Sequence, residues 1–369
     1  MPYLLFSDFL FVGVMVLGVI ISLSSVSWLL IWVGMEISLI GFVPVISGNG
    51  VFGWKSTESS ESLMKYFVVQ AIGSGLILLG GFSVFSMSKV WDIGIGEKSI
   101  EYMLYIGPFF SVIGLSIKLG VFPFHFWVPS VMAGMSWFSC LLLTTLQKIV
   151  PLFFLCVFLG FVSSEMLLTY LLISSVASSV IGGFGGINQT SLRGVMAYSS
   201  IGHMGWLLMS TIIGSSVMCT YLLFYVFMSF GFFFILWKLG CDSVGKLNGC
   251  LIDMSTIERV FVVGILLSYM GMPPFFGFSV KWYSMISFFE LCNFGIFTYF
   301  YFFLMFLGSL LSVSYYLMIF ISLMVGSSGV YVKKMKLMGM LEESVLFVLG
   351  FIFFVSLLGG IELMMGGSF

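Results

Sequence analysis

The chain has 369 residues, of which 60% are hydrophobic and 8% are charged, with a formal net charge of -1 and a mean hydropathy of +1.19. Because soluble globular domains carry about 25% charged residues, this composition excludes a soluble protein. The 14 Lys and Arg residues are scattered rather than gathered in a basic stripe, which excludes a nucleic-acid-binding surface.

Apolar runs recur along the chain and are long enough to cross a membrane. A helix needs about 20 apolar residues to span a hydrocarbon core of about 30 Å. The runs are apolar on every side, whereas barrel strands alternate apolar and polar residues, so we expect helices. The sequence predicts an all-α, polytopic membrane protein of about eleven transmembrane helices. The predicted spans are 3–22, 25–47, 62–87, 101–133, 137–162, 166–186, 193–212, 216–238, 258–290, 294–324 and 344–365.

The polar segments between these spans are too short to fold by themselves, so residues 1–369 are expected to form a single transmembrane domain. No cleavable signal or Arg-rich presequence pattern occurs at the N-terminus, and residues 1–21 are predicted to be the first span. Basic residues concentrate on the side from which helices are inserted, and here they favour the N-terminal side, which would be the matrix in a mitochondrial protein. They are Lys55, Lys65, Arg193, Lys238, Lys246, Arg259, Lys333, Lys334 and Lys336, against Lys89 and Lys98 opposite.

Two predicted spans contain the pattern Gly-x-x-Pro-Phe, which begins at Gly120 in the fourth span and at Gly271 in the ninth. Proline leaves the carbonyl four residues earlier without its helical donor, so both spans are expected to be broken helices. Discontinuous helices at corresponding positions of two halves are typical of inverted-repeat transporters. The carbonyls expected to be unpaired are those of Leu119, before Pro123, and of Tyr269 and Met270, before Pro273 and Pro274.

Three lysines, Lys118, Lys148 and Lys281, lie inside spans and away from any loop. A charge at the bilayer centre costs about 2.5 to 3.5 kcal/mol on insertion scales, so an ionisable group there is a functional-site candidate. Burial disfavours the charged form of lysine, so a carboxylate that approaches or withdraws could make it bind or release a proton. Glu36 is the only carboxylate deep in a span and is therefore predicted to pair with Lys118. The alternative is that the charges form static pairs that only fix helix packing.

The two histidines, His125 and His203, could relay protons because the pKa of an unperturbed imidazole is about 6.5. A lone histidine is nevertheless often a packing residue. Nearby polar side chains could hold a chain of water molecules, or could simply bond to the backbone or to neighbouring helices. These side chains are Thr144, Thr145, Gln147, Ser199 and Ser200.

The sequence has no dinucleotide-binding or phosphate-binding glycine motif, and its six cysteines lack the spacing of a metal site or iron-sulfur cluster. No cofactor or metal site is therefore expected in this chain. Any redox chemistry that drives it would take place in another chain.

Several long motifs, in this order along the chain, resemble one known family. They are residues 28–44, 118–129 (KLGVFPFHFWVP), 143–151 (LTTLQKIVP), 185–206 (GGINQTSLRGVMAYSSIGHMGW) and 271–282 (GMPPFFGFSVKW). The chain resembles the chain 2 family of mitochondrial NADH:ubiquinone oxidoreductase, respiratory complex I, which belongs to the antiporter-like membrane subunits. The last 80 or so residues match only in hydropathy.

This resemblance implies an antiporter-like fold of two inverted five-helix repeats, the first in residues 1–162 and the second in 163–325, with a linker and last helix in 326–369. By motif position it implies that Glu36 and Lys118 form an input pair, that Lys148 is the central proton carrier and that Lys281 is the output lysine. It places His125 and His203 along the same hydrated axis.

The resemblance also implies a multi-pass subunit of the mitochondrial inner membrane, with its N-terminus in the matrix, that couples electron transfer to proton translocation. NADH, FMN, iron-sulfur clusters and ubiquinone would be bound by other subunits. The implied partners are other membrane-arm core subunits, accessory subunits and membrane lipids such as cardiolipin. Two alternatives share the fold: a stand-alone cation/proton antiporter, and a structural spacer subunit that does not pump.

Overall fold

The computed structural model of the chain describes residues 6–47, 56–89, 91, 103–161, 165–240, 242–243, 256–291 and 296–325. Within these ranges all the elements of regular secondary structure are helices, and an isolated backbone bridge joins Ser191 to Ser243. The predicted all-α fold is thereby confirmed. The helices are α1 (Phe6–Ser24), α2 (Trp28–Ser47), α3 (Ser56–Ser88), α4 (Met103–Leu119), α5 (Trp127–Ala133), α6 (Trp137–Thr144), α7 (Leu146–Phe161), α8 (Glu165–Ile187), α9 (Leu192–Ile213), α10 (Ser215–Leu239), α11 (Thr256–Met270), α12 (Phe276–Leu291) and α13 (Ile296–Val325).

The predicted spans coincide with these helices or with consecutive pairs of them, except for the last span, 344–365, which lies outside the described residues. Among the described residues, six segments are long and apolar enough to cross a membrane by themselves, and α1 and α4 contain shorter apolar stretches. The total of about eleven crossings stays a prediction. The six segments are 28–47, 57–86, 137–160, 165–187, 215–239 and 298–323.

Helix α9 lies at the centre of the fold. Of its 22 residues, 18 are buried, and it packs against α5, α7, α8, α10, α12 and α13. It begins at the N-cap Ser191, whose hydroxyl accepts a hydrogen bond from the Gly194 amide. Because α5 and α7 precede residue 163 and the other neighbours follow it, α9 connects the two predicted repeats. The division into repeats at residue 163 itself stays a prediction.

Both predicted helix breaks are confirmed. Helix α4 ends at Leu119, and the chain is irregular until α5 begins at Trp127. Helix α11 ends at Met270, and α12 begins at Phe276. Each break opens with a glycine in the left-handed region, Gly120 at φ 69° and Gly271 at φ 77°, a conformation that residues with a side chain rarely adopt.

A third break, which was not predicted from the sequence, interrupts the predicted span 137–162. Helix α6 ends at Thr144, Thr145 has φ -108° and ψ -81°, and α7 begins at Leu146. The Lys148 amide donates to the Thr145 carbonyl at 3.1 Å, a tight turn in place of the regular helical bond. Lys148 therefore lies in the first turn of α7, directly after irregular backbone.

Candidate functional site

Lys118 and Glu36 form the ion pair that the sequence predicts. The Lys118 ammonium lies 3.3 Å from a Glu36 carboxylate oxygen, and joins the last turn of α4 to the middle of α2. The Lys118 side chain is 4% exposed, whereas that of Glu36 is 26% exposed. The pair therefore couples a fully buried cation to an anion that still reaches the surface of the helix bundle.

The backbone at the end of α4 is stabilised by two neutral side chains. The indole of Trp127 donates to the carbonyl of Ile117 at 3.1 Å, and the amide of Gln70 donates to the carbonyl of Lys118 at 3.5 Å. The sequence predicts an unpaired carbonyl at Leu119. The carbonyls that accept these side-chain hydrogen bonds are instead those of the two preceding residues, Ile117 and Lys118. Gln70 was not predicted as a site residue, although an amide in the middle of an apolar helix indicates a polar contact.

A cavity beside Lys118 extends towards α7. It is lined by Gln70 and Lys118 on one side and by Gln147, Val150 and Pro151 on the other. The Gln147 amide crosses to α2, where it donates to the carbonyl of Ser38 at 3.1 Å. This polar space leads from Lys118 to the helix that carries Lys148.

Lys148 is 5% exposed and has no carboxylate within ion-pair distance among the described residues. Its ammonium instead lies 5.5 Å from the centre of the Tyr225 ring. An ammonium over an aromatic face is attracted by the negative charge density of the ring, which partly replaces an anionic partner. Tyr225 thus contacts Lys148 from α10, across the boundary between the predicted repeats.

His203 lies on α9 beyond the same tyrosine. Its ring centre is 5.6 Å from that of Tyr225 and 5.2 Å from that of Tyr269, and its Nδ1 atom is 3.2 Å from the Tyr221 hydroxyl. The imidazole is 5% exposed. Lys148, Tyr225 and His203 are therefore consecutive members of one buried row.

Lys281 continues the row on α12. Its ammonium donates to the backbone carbonyl of Tyr269 at 3.5 Å, which is one of the carbonyls that the sequence predicts to be unpaired. The ammonium also lies 5.9 Å from the centre of the Trp206 ring. A small cavity joins Lys281 to His203, and its other lining residues include Ser179, Ser199 and Tyr315.

His125 is not brought to this row. It lies in the irregular segment between α4 and α5, where its ring centre is 6.2 Å from that of Phe122 and 4.1 Å from that of Phe126. In the described part of the chain, no hydrogen bond or ring contact joins His125 to any of the three lysines. Its predicted role as a relay is not tested by this placement.

Most hydroxyl groups near the row bond to their own helices, as the simpler of the two sequence interpretations holds. The Thr145 hydroxyl donates to the carbonyl of Leu141 at 2.7 Å. Ser199 and Ser200 donate to the carbonyls of Met196 and Ala197, both at 2.8 Å. Their protons are therefore engaged, while the oxygen lone pairs can still accept.

A group of buried tyrosines surrounds His203 and was not predicted from the sequence. Tyr221 and Tyr225 are one turn apart on α10 and both face α9, while the rings of Tyr269 and Tyr316 are parallel with centres 5.7 Å apart. Within the described residues, the Tyr269 hydroxyl has no partner in hydrogen-bond geometry. Each of three predicted spans has a tyrosine deep inside it. Because a buried tyrosine hydroxyl usually lies beside a polar group, these positions could have predicted a polar cluster.

Comparison with known proteins decides the family. A family model described as NADH:quinone oxidoreductase/Mrp antiporter, TM, matches residues 25–308. NADH-ubiquinone oxidoreductase chain 2 of Anopheles gambiae is 34% identical over 277 residues, which cover 75% of each chain. That of Branchiostoma lanceolatum is 32% identical over 339 residues, which cover 90% of this chain and 92% of the relative. The chain belongs to the NADH-ubiquinone oxidoreductase chain 2 family. The resemblance seen in the motifs is therefore confirmed.

Solved structures share the fold of this chain 2 family member. A chain from respiratory complex I of Thermus thermophilus with bound aureothin superposes with a TM-score of 0.80 at 22% identity, over 97% of this chain and 80% of that chain. A chain of the archaeal membrane-bound sulfane sulfur reductase superposes at 0.79 and 18% identity, over 94% and 71%. A chain of the Mrp complex from Dietzia sp. superposes at 0.70 and 16% identity, over 88% and 61%. The chain is a multi-pass membrane protein with the antiporter-like fold.

Proposed function

We propose that the chain is a membrane-arm subunit of mitochondrial NADH:ubiquinone oxidoreductase and that its buried row of charges moves protons across the inner membrane. Membership is supported by relatives that are named for this enzyme and match up to 90% of the chain. NADH, FMN, iron-sulfur clusters and ubiquinone would be bound by other subunits. Its partners would be other membrane-arm subunits, accessory subunits and lipids such as cardiolipin.

The observation that carries the proton role is the row itself. It runs from Glu36 through Lys118 and Lys148 to His203 and Lys281, and every member except Glu36 is at least nine-tenths buried. Three buried cations with one anion are an unfavourable arrangement for static packing, because two lysines lack a carboxylate partner among the described residues. We therefore assign the row to charge movement.

The geometry supports a sequence of proton transfers. Glu36 neutralises the charge of Lys118. When Glu36 withdraws, the positive charge of Lys118 is unpaired and repels a proton on Lys148. His203 lies between Lys148 and Lys281, in ring contact with Tyr225 and beside the cavity of Lys281. Its imidazole can accept a proton from Lys148 and donate one to Lys281. Lys281, on the carbonyl of Tyr269, is then the output group.

Membership is tested by native electrophoresis of solubilised mitochondrial inner membrane with in-gel NADH oxidation. Mass spectrometry of the large NADH-oxidising band should detect this chain. If the chain migrates alone or in a small oligomer, the stand-alone antiporter replaces this proposal. Labelling of an N-terminal tag from the matrix side of inverted inner-membrane vesicles tests the proposed orientation.

The proton role is tested by Lys148→Ala in the assembled complex. We expect fewer protons translocated per electron, because the central carrier is lost. Unchanged proton stoichiometry together with unchanged electron transfer would favour the structural spacer instead.

A further inference from the structure

The two helix breaks satisfy their exposed carbonyls in different ways. At the second break, the carbonyl of Tyr269 accepts a hydrogen bond from the ammonium of Lys281. At the first break, the carbonyls of Ile117 and Lys118 accept from the neutral indole of Trp127 and the neutral amide of Gln70. The lysine of the second break is thus engaged with backbone, whereas the Lys118 ammonium is directed at Glu36.

Helix α3 contacts Lys118 at two positions one turn apart. Gln70 is 6% exposed within an apolar helix, where an amide is unfavourable unless it is hydrogen-bonded, and its donor contact is the Lys118 carbonyl. At Gly73, a methyl group would lie 3.0 Å from the Lys118 Cγ atom, so the missing side chain leaves room for the lysine stem. Gln70 therefore holds the backbone of Lys118 while Gly73 accommodates its side chain.

We infer that Gln70 is a positioning residue for Lys118: its amide satisfies the carbonyl at the helix break and leaves the ammonium free for Glu36. Without this donor, the Lys118 carbonyl would be buried and unpaired, a state that the protein avoids by shifting the last turn of α4. Such a shift carries the ammonium away from Glu36. The consequence for proton transfer rests on the proposed function, whereas the geometric part does not.

The test compares Gln70→Met with Ser74→Ala in the assembled complex. Methionine keeps the length and volume of glutamine without the amide. Ser74 is a buried residue one turn along α3, and among the described residues its hydroxyl bonds to its own helix at Ala71, so it serves as the matched control. Cryo-electron microscopy gives the separation of Lys118 Nζ and Glu36 Oε1, and vesicle assays give protons per electron as a function of pH.

We expect Gln70→Met to lengthen this separation from 3.3 Å to beyond about 4 Å, the limit of an ion pair, and to lower the proton yield. Ser74→Ala should leave both unchanged. If the Gln70→Met complex does not assemble, Gln70→Glu is used, in which a second carboxylate next to Lys118 should draw the ammonium from Glu36. An intact 3.3 Å pair in either Gln70 variant would overturn the inference.

The separation and the proton yield distinguish two kinds of failure. A broken pair in Gln70→Met supports the positioning role even if Lys118→Ala turns out to leave proton translocation unchanged. That second result would contradict only the proposed function.

Discussion

The ammonium of Lys281 donates a hydrogen bond to the backbone carbonyl of Tyr269, 12 residues earlier in the chain and on the other side of a helix break. Pro273 removes the amide that would normally occupy this carbonyl. A cation at the end of a helix is also favoured by the helix dipole. The break therefore provides a fixed acceptor for a lysine that has no carboxylate partner among the described residues.

Gly271→Ala should disturb this arrangement. Gly271 has φ 77°, and a methyl group there would lie 3.2 Å from the Lys281 ammonium. The left-handed backbone alone costs about 1 to 2 kcal/mol for a residue with a side chain. We expect lower heat resistance of the complex and a lower proton yield, measured by thermal inactivation and vesicle assays. The matched change Gly75→Ala, where nothing lies within 4 Å, should have neither effect.

Glu36 and Lys118 should show strong energetic coupling in a double-mutant cycle. Removing one partner of a buried pair costs at most about 3 to 5 kcal/mol, and the partial exposure of Glu36 lowers this value. Glu36→Gln and Lys118→Met should therefore each destabilise the complex, and the double variant should lose less than their sum. The exposed pair of Glu61 and Lys65 on α3 is the control. If the two effects add, the contact between Glu36 and Lys118 does not contribute to the stability of the complex, which would contradict the prediction.

Tyr225→Leu should weaken the stabilisation of charged Lys148. The ring lies 5.5 Å from the ammonium, and a desolvated contact of this type contributes about 2 kcal/mol. The proton yield of the complex should fall with Tyr225→Leu and be largely kept with Tyr225→Phe, which retains the ring. Phe230→Leu, an equivalent change at an exposed position of α10, should leave the yield unchanged. Equal losses for Leu and Phe at position 225 would point to the hydroxyl instead.

Arg193 should be important for stability rather than proton transfer. Its guanidinium is buried, pairs with Asp242 at 2.6 Å, donates to the carbonyl of Ala133 at 3.3 Å and lies 5.1 Å from the Trp137 ring. Arg193→Met should destabilise the complex by less than the about 3 to 5 kcal/mol of a fully buried pair, because the Asp242 side chain is 43% exposed and stays partly hydrated when its partner is removed. Arg193→Lys should restore only part of this loss, since lysine lacks the planar fork. Assembled complex that remains after mild heating is the readout, and a fully stable Arg193→Lys complex would contradict the prediction.

The sequence was sufficient to predict features with a local cause. The breaks after Gly120 and Gly271 follow from proline chemistry, and the pairing of Glu36 with Lys118 follows from the scarcity of deep carboxylates. The break at Thr145 has no such cause, because no glycine or proline stands there and Pro151 lies a turn and a half further on. Nothing in the local pattern distinguishes Thr145 from a helical residue.

Features that depend on the packing of several helices were not predictable from one sequence. The tyrosines near His203 come from α10, α11 and α13, and only the arrangement of these helices around α9 brings them together. The same applies to Gln70, which donates a hydrogen bond to the carbonyl of Lys118 although the two residues are 48 positions apart in the sequence. Conversely, His125 is only seven positions after Lys118 in sequence, yet the irregular backbone between them directs its ring towards Phe122 and Phe126.

The burial of α9 has a consequence for how the chain tolerates change. A helix with 18 of its 22 residues buried has almost no surface on which one apolar side chain can replace another freely. On α13, by contrast, large apolar residues such as Phe303 and Leu310 are exposed at 60% and 55%. Natural variants should therefore accumulate on α13 and be scarce on α9, so that the central helix keeps a nearly fixed sequence while the outer helices diverge.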